Sequence, residues 1–402
     1  MHPKITHLNN PTKHLRGETI FAVLGLIILS FATYLNALPN TFVFDDVYVI
    51  SGNYFIRDWK NFWGLFTSKY FAASGELSYR PVVTLSYFVD YSLWHLNPLG
   101  YHLTNIVLHT LNSTILFFLV QRMVRNTPVA FLTSLFFVCH PVLSEAVNAI
   151  SYREDLLAAT FFITAFTLYV KLPASNEFMY RNLSPLGTGM HHGVYSFVSL
   201  RTGSEQKQDS SASPQNDKRR RVQHDSVCHS ERSEESNFYL YPLSLLSYLF
   251  ALFSKEMAIT LPLLIFFFDY LIGSCRTFTN RILRFYLGYI LVTIFYLLVR
   301  FRWFHNPVES GVSYPQENLW FNFLAMLKVL ASYLKLLFFP VNLNADYIVP
   351  VASSPWDMSC ILSLLLIISI AVIGCRLFFH SKFLFFSLLW FFVALLPVLN
   401  SV

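Results

Sequence analysis

The sequence predicts an all-α polytopic membrane protein, with about 9–11 transmembrane or re-entrant helices and a long first extracytoplasmic loop. Three observations point there. Hydrophobic residues make up 54% of the 402 residues and charged residues 13%, where a soluble domain carries ~25% charged. The apolar residues gather into blocks of about 16–23, and ~20 of them cross the ~30 Å hydrocarbon layer. Lys and Arg concentrate in short segments between blocks, where orientation signals belong. The net charge of +6 is therefore spread as a topology signal, and no nucleic-acid partner is expected.

The block at 19–38 follows the basic residues Lys4, Lys13 and Arg16. It is too long for the apolar region of a signal peptide, and no small-residue cleavage site follows. It reads as an uncleaved first span with its N-terminus in the cytoplasm. Residues 39–98, rich in Trp, Tyr and Phe, form the first outer loop. Blocks at 101–121, 128–147 and 155–171 complete an N-terminal module, 1–172.

Residues 173–236 are Ser-, Gln- and charge-rich, with few aliphatics. Such a segment lacks the apolar surface to offset its ordering entropy, so a disordered cytoplasmic insertion is expected. Its basic run Lys218–Arg221 reads as solvated loop charge. Its end, "CHSERSEES", resembles the translation of a dispersed bacterial genomic repeat. That implies an insertion without catalytic duty and a bacterial inner-membrane setting.

Residues 237–402 hold blocks at 238–253, 257–273, 285–300, 319–339, 357–375 and 383–400. The basic loops 122–127, 172–237 and 274–284 fall on the cytoplasmic side if the N-terminus does. The basic stretch Arg376–Lys382 belongs there too, which creates a parity conflict. The segment 319–339 is therefore expected to be re-entrant, interfacial or a hairpin, and Lys328 and Lys335 within it agree. The five cysteines show no metal-ligand or redox spacing.

This topology collects acids on the outer face. Asp45 and Asp46, in "FVFDDVYVI", lie just past the first span. An adjacent acid pair there can bind a metal, accept a proton or cap the loop. The apolar flanks place both acids against a hydrophobic wall, where desolvation makes a carboxylate a better base. Arg80, in "SYRPVVTLSY", opens an interfacial stretch as a phosphate ligand or a plain anchor. His102, Asn105 and His109 repeat at helical spacing and share one face. His140 and Glu145 precede Arg153, Glu154 and Asp155 at one span end and read as a site wall or as boundary charge. Lys255 and Glu256 sit in a turn too tight for a mere linker, and Asp346 with Tyr347 adds to the same face.

In this order the segments "FDD", "YRP", "YHLTNIVLHTLN", "HPVLSEAV…REDLLA", "SKEMAITLP" and "FPVNLNADY" resemble the GT-C glycosyltransferases. The closest resemblance is to the protein O-mannosyltransferase-like membrane proteins that carry TPR repeats, over about residues 18–400. The resemblance implies a GT-C-like bundle that transfers a sugar from a polyprenyl-phosphate donor to a protein or glycan hydroxyl, with inversion. It implies Asp45 as the general base with Asp46 beside it, and Glu145 and Asp155 completing the polar wall. Arg80, Arg153 and Lys255 become candidates for the donor phosphate, with His102, His140, Glu256 and Asp346 in support. Some members use a divalent cation and others none, so the metal stays open.

Members usually continue past this region into further spans and repeats. The chain stops at Val402, so a truncated or split gene with a TPR-containing partner chain is expected. Two other readings remain: a flippase for lipid-linked glycans, and a non-catalytic paralogue. A flippase needs polar residues near mid-membrane; here most acids gather at one boundary, with only His109 and Asp269 deeper.

Overall fold

Proline or a polar cap starts several of the helices, at Pro81, Asn97–Pro98, Asn126 and Ser381. In a computed structural model, residues 11–67, 70–74, 78–172, 239–272, 285–304, 319–344, 347 and 356–398 are described. Among them are helices α1 (Pro11–Tyr34), α2 (Tyr70–Ser74), α3 (Pro81–Trp94), α4 (Pro98–Val124), α5 (Thr127–Cys139), α6 (Ser144–Asn148) and α7 (Arg153–Lys171). Then follow α8 (Tyr239–Ser254), α9 (Leu261–Ile272), α10 (Leu287–Leu297), α11 (Leu319–Phe338), α12 (Met358–His380) and α13 (Lys382–Leu395). No strand occurs among the described residues. The chain is thus an all-α membrane protein, as its apolar blocks predict.

Helix α4 is the organising element. Asn97 caps it by accepting from Leu99 N at 3.2 Å, Pro98 supplies the first turn, and Arg125 ends it in the left-handed region at φ 56°. Its 27 residues reach ~40 Å at 1.5 Å per residue. It packs against α1, α3, α5, α6 and α7. Asn126 then caps α5 through Val129 N at 3.0 Å.

Among the described residues, four helices are long and apolar enough to cross a membrane: Gly17–Ala37, Pro98–Val124, Trp320–Phe338 and Met358–His380. A fifth span arises if Thr127–Cys139 and Pro141–Asn148 count as one, bent by 50° where Pro141 breaks the ladder. Of the three expectations for 319–339, the hairpin is corrected. α11 is one continuous helix of crossing length, so the hairpin reading fails. α12 also stays helical through His380, and only Ser381 interrupts it before α13. The insertion 173–236 lies outside the described residues.

Two buried clusters matter for the site. One unites α7, α8, α9, α10 and α13 around Phe166, Tyr248, Phe268 and Tyr289. The other packs the first loop onto α3 and the starts of α4 and α7, through Val49, Ile50, Ile56, Leu65, Tyr79, Tyr87, Phe88 and Leu157. Residues 39–98 are therefore not a free loop. Short helical turns at Val47–Ser51, Phe55–Arg57 and Trp59–Phe66 seat on that cluster, and Tyr79 stacks on Phe304 with centroids 3.9 Å apart.

The α3–α4 corner is tight because Gly100 lies under the Trp94 ring. A Cβ there would sit 2.0 Å from Trp94 Cγ. Gly100→Ala should destabilise the detergent-solubilised protein by ~1–3 kcal/mol through overpacking, read as a lowered thermal unfolding midpoint. An unchanged midpoint would contradict this close approach.

Candidate functional site

The adjacent acids Asp45 and Asp46 diverge. Phe44 adopts φ 47°, a left-handed turn, and of the two acids after it one is buried and the other exposed. Asp46 is fully buried; its Oδ2 accepts from Val43 N at 3.2 Å and its Oδ1 from Ser151 N at 2.7 Å. Asp45 is exposed. The expectation that both acids sit against a hydrophobic wall is corrected: only Asp46 is enclosed. Its oxygens are committed to main-chain amides, which gives it an anchoring role rather than one in chemistry.

That anchor carries the loop to the start of α7. The Tyr152 phenol there is raised by burial, then by the charges of Glu145 and Asp45, with Lys255 opposing. The charges of Asp45, Glu145 and Lys255 thus all reach Tyr152 at this end of α7.

An alternating chain of charges lies beside them. Lys255, between α8 and α9, contacts both Asp155 oxygens at 2.8 Å and Glu154 at 3.0 Å. Glu154 also pairs with Arg80, and Arg80 reaches Glu256 at 3.5 Å. Arg300 closes the chain, 3.2 Å from Glu256 and donating to Tyr296 Oη at 2.6 Å. Segments distant in sequence supply these groups: the residue before α3, the first turn of α7, the α8–α9 turn and the end of the helix through α10.

The expected donor-phosphate ligand Arg153 is not there. It is fully buried, paired with Asp90 at 2.6 Å, and donates to Asn105 Oδ1 at 2.8 Å, Tyr101 O at 3.0 Å and Ser86 Oγ at 3.3 Å. Its guanidinium is enclosed and occupied, so it clamps α3, α4 and α7 together. His140 is also structural. Its Nδ1 accepts from Val142 N at 3.3 Å, and its Nε2 donates to Leu337 O at 3.0 Å, fixing the end of α11. His102 is buried on α4, close enough to Asp46 to feel its charge. His102, Asn105 and His109 share an inward face, as their spacing predicts; Asn105 and His109 hold main-chain carbonyls. Asp346 lies outside the described residues.

The site's elements can be compared with known proteins. A protein O-mannosyl-transferase of Caenorhabditis elegans is 34% identical over 174 residues, 40% of this chain and 25% of the relative. Human protein O-mannosyl-transferase TMTC1 is 35% identical over 143 residues, 34% of this chain and 16% of the relative. Mouse TMTC2 is 30% identical over 186 residues, 44% of this chain and 21% of the relative. Over these stretches the chain is similar to proteins named protein O-mannosyl-transferases. It spans a quarter or less of the length of these relatives. No family model and no solved structure matches.

Two residues of the cluster escaped the sequence reading. Glu154, grouped there with its charged neighbours, is its hub. Arg300 and Tyr296 went unweighted, although an Arg inside the apolar run "LLVRFRW" needs a partner near lipid. Among the described residues, no three His, Cys, Asp or Glu side chains gather as metal ligands, and no step below is routed through a cation.

The two glutamates on Arg80 shift in opposite directions. Burial raises Glu154, and outweighs Lys255 and Arg80, which pull it down. Burial also works to raise Glu256, but Arg80 and Arg300 outweigh it and hold it down to about 2, against an ordinary 4.5. Lys255 is pulled down by burial, yet Asp155 and Glu154 prevail and raise it.

A depressed carboxylate stabilises the folded state above its unfolded pKa, and that stabilisation is lost as pH falls through the folded value. The Glu256 contribution should therefore be complete above about pH 4.5 and vanish toward about 2. Glu256→Gln should flatten the acid-side fall of thermal stability across that window. An identical acid profile for the variant would contradict the Arg80–Glu256–Arg300 pairing.

Proposed function

We propose that the chain is a membrane glycosyltransferase that moves a sugar, mannose by kinship, from a polyprenyl-phosphate donor to a hydroxyl of a protein or glycan acceptor. The observation that carries this reading is the juxtaposition at one rim. An exposed carboxylate, Asp45, stands with Glu145 and Tyr152 near Lys255, and Lys255 shares Glu154 with Arg80. The names of the relatives point the same way.

The chemistry assigns one task to each kind of group. The acceptor oxygen attacks the anomeric carbon, a new C–O bond forms, and the bond to the phosphate oxygen breaks with inversion. Asp45 takes the hydroxyl proton. Positive charge grows on the sugar ring, where Glu145 stabilises it. Negative charge grows on the leaving polyprenyl phosphate, where Arg80 and Lys255 stabilise it. The donor's tail stays in lipid while its head reaches the rim, so the base belongs at the membrane boundary.

Asp45→Asn should lower sugar transfer by ~10²–10⁴-fold while donor binding stays within a few-fold of wild type. Transfer of radiolabelled mannose from polyprenyl-phosphate mannose to acceptor peptide, in purified protein, measures it. Transfer equal to wild type would remove Asp45 from the base role.

A further inference from the structure

The charge cluster has no cation to spare. Among the described residues, the side chains of Arg80, Lys255 and Arg300 are balanced by those of Glu154, Asp155 and Glu256. A phosphodiester brings one negative charge. Its oxygens reach Arg80 and Lys255 only if a carboxylate releases them or is neutralised.

The three carboxylates differ in their freedom to let go. The side chains of Asp155 and Glu256 are 40% and 38% exposed and can turn to water. That of Glu154 is 11% exposed and wedged between Arg80 and Lys255, the two cations a phosphate at this rim needs. A wedged carboxylate cannot leave, but a proton can cancel its charge where it stands. Desolvation already favours its protonated form.

Other groups bear on the same position. Tyr152, Glu145 and Asp155 face it from the α7 side. Tyr333 on α11 feels Lys255, and Arg300 acts through Glu256. Of these acids, Glu256 is held strongly ionised by two guanidinium groups, so it does not take the proton.

We propose that Glu154 takes up one proton from solvent when an anionic phosphate donor binds, releasing Arg80 and Lys255 to the phosphate oxygens. The proposal rests on the glycosyltransferase reading above. Glu154 is then a positioning residue: it decides when the phosphate-binding cations become available. No other bond changes, and the acceptor's hydroxyl proton still passes to Asp45. Donor affinity is linked to pH, weakening as pH rises by up to about tenfold per unit for one proton taken up.

Titration calorimetry of the full chain in nanodiscs, with short-chain polyprenyl-phosphate mannose in buffers of different ionisation enthalpy, counts the protons. Wild type should take up about one per donor bound. Glu154→Gln should bind with uptake near zero and with pH-independent affinity. Infrared difference spectra of wild type on donor addition give a check that needs no variant, because a protonated-carboxyl band should appear. Donor binding without proton uptake in wild type, or uptake persisting in Glu154→Gln, overturns the role of Glu154 and leaves the donor site standing. Folded wild type that binds no donor at any pH overturns both this proposal and the donor reading.

Discussion

Two main-chain amides hold the buried Asp46 carboxylate, and one of them, Ser151 N, belongs to a segment 105 residues further along the chain. Hydrogen bonds to a charged group contribute ~1.5–3 kcal/mol each. Here they also join the first loop to the start of α7. Without that tie the turn at Phe44 has no reason to keep its left-handed backbone, and Asp45 has no fixed place. The site is thus assembled by an acid that takes no part in its chemistry.

Charge near lipid obeys a second constraint: each ion must be answered locally. The α7 start answers it twice. Arg153 turns inward and is answered by Asp90 beneath the loop. Glu154 and Asp155 turn toward the rim and are answered by Arg80 and Lys255. One clamp builds the scaffold, and the other builds a polar surface that can exchange its partners. The opposite pKa directions of Glu154 and Glu256 follow from the same balance, with burial prevailing at one and paired guanidinium groups at the other.

The helices were legible because apolar block length is a local signal, as at 101–121; the Asn97–Pro98 start of that helix was not read. The gathering of acids and bases on one rim was legible from the positive-inside pattern, and Arg80, Lys255, Glu154, Asp155 and Glu256 do converge. The division of labour within a motif was not. Asp45 and Asp46 are chemically identical, and only the fold's amides at Val43 and Ser151 single out Asp46. Arg153, Glu154 and Asp155 are consecutive, and the ~100° rotation per helical residue sends Arg153 inward while Glu154 and Asp155 meet Lys255. Helix phase could have been read from Leu157 and Thr160, buried on the same side as Arg153. The hairpin expected at 319–339 failed because Lys328 and Lys335 lie within one continuous helix, α11.

The central claim is that the loop tip and the start of α7 meet at one membrane rim. Single cysteines at Asp45 and Tyr152, in a cysteine-free background in sealed vesicles of known orientation, test it most directly. Both should react with an impermeant maleimide from the same side, and the double variant should be joined by a short bifunctional cross-linker. Labelling from opposite sides, or no cross-link in a folded double variant, would contradict the account.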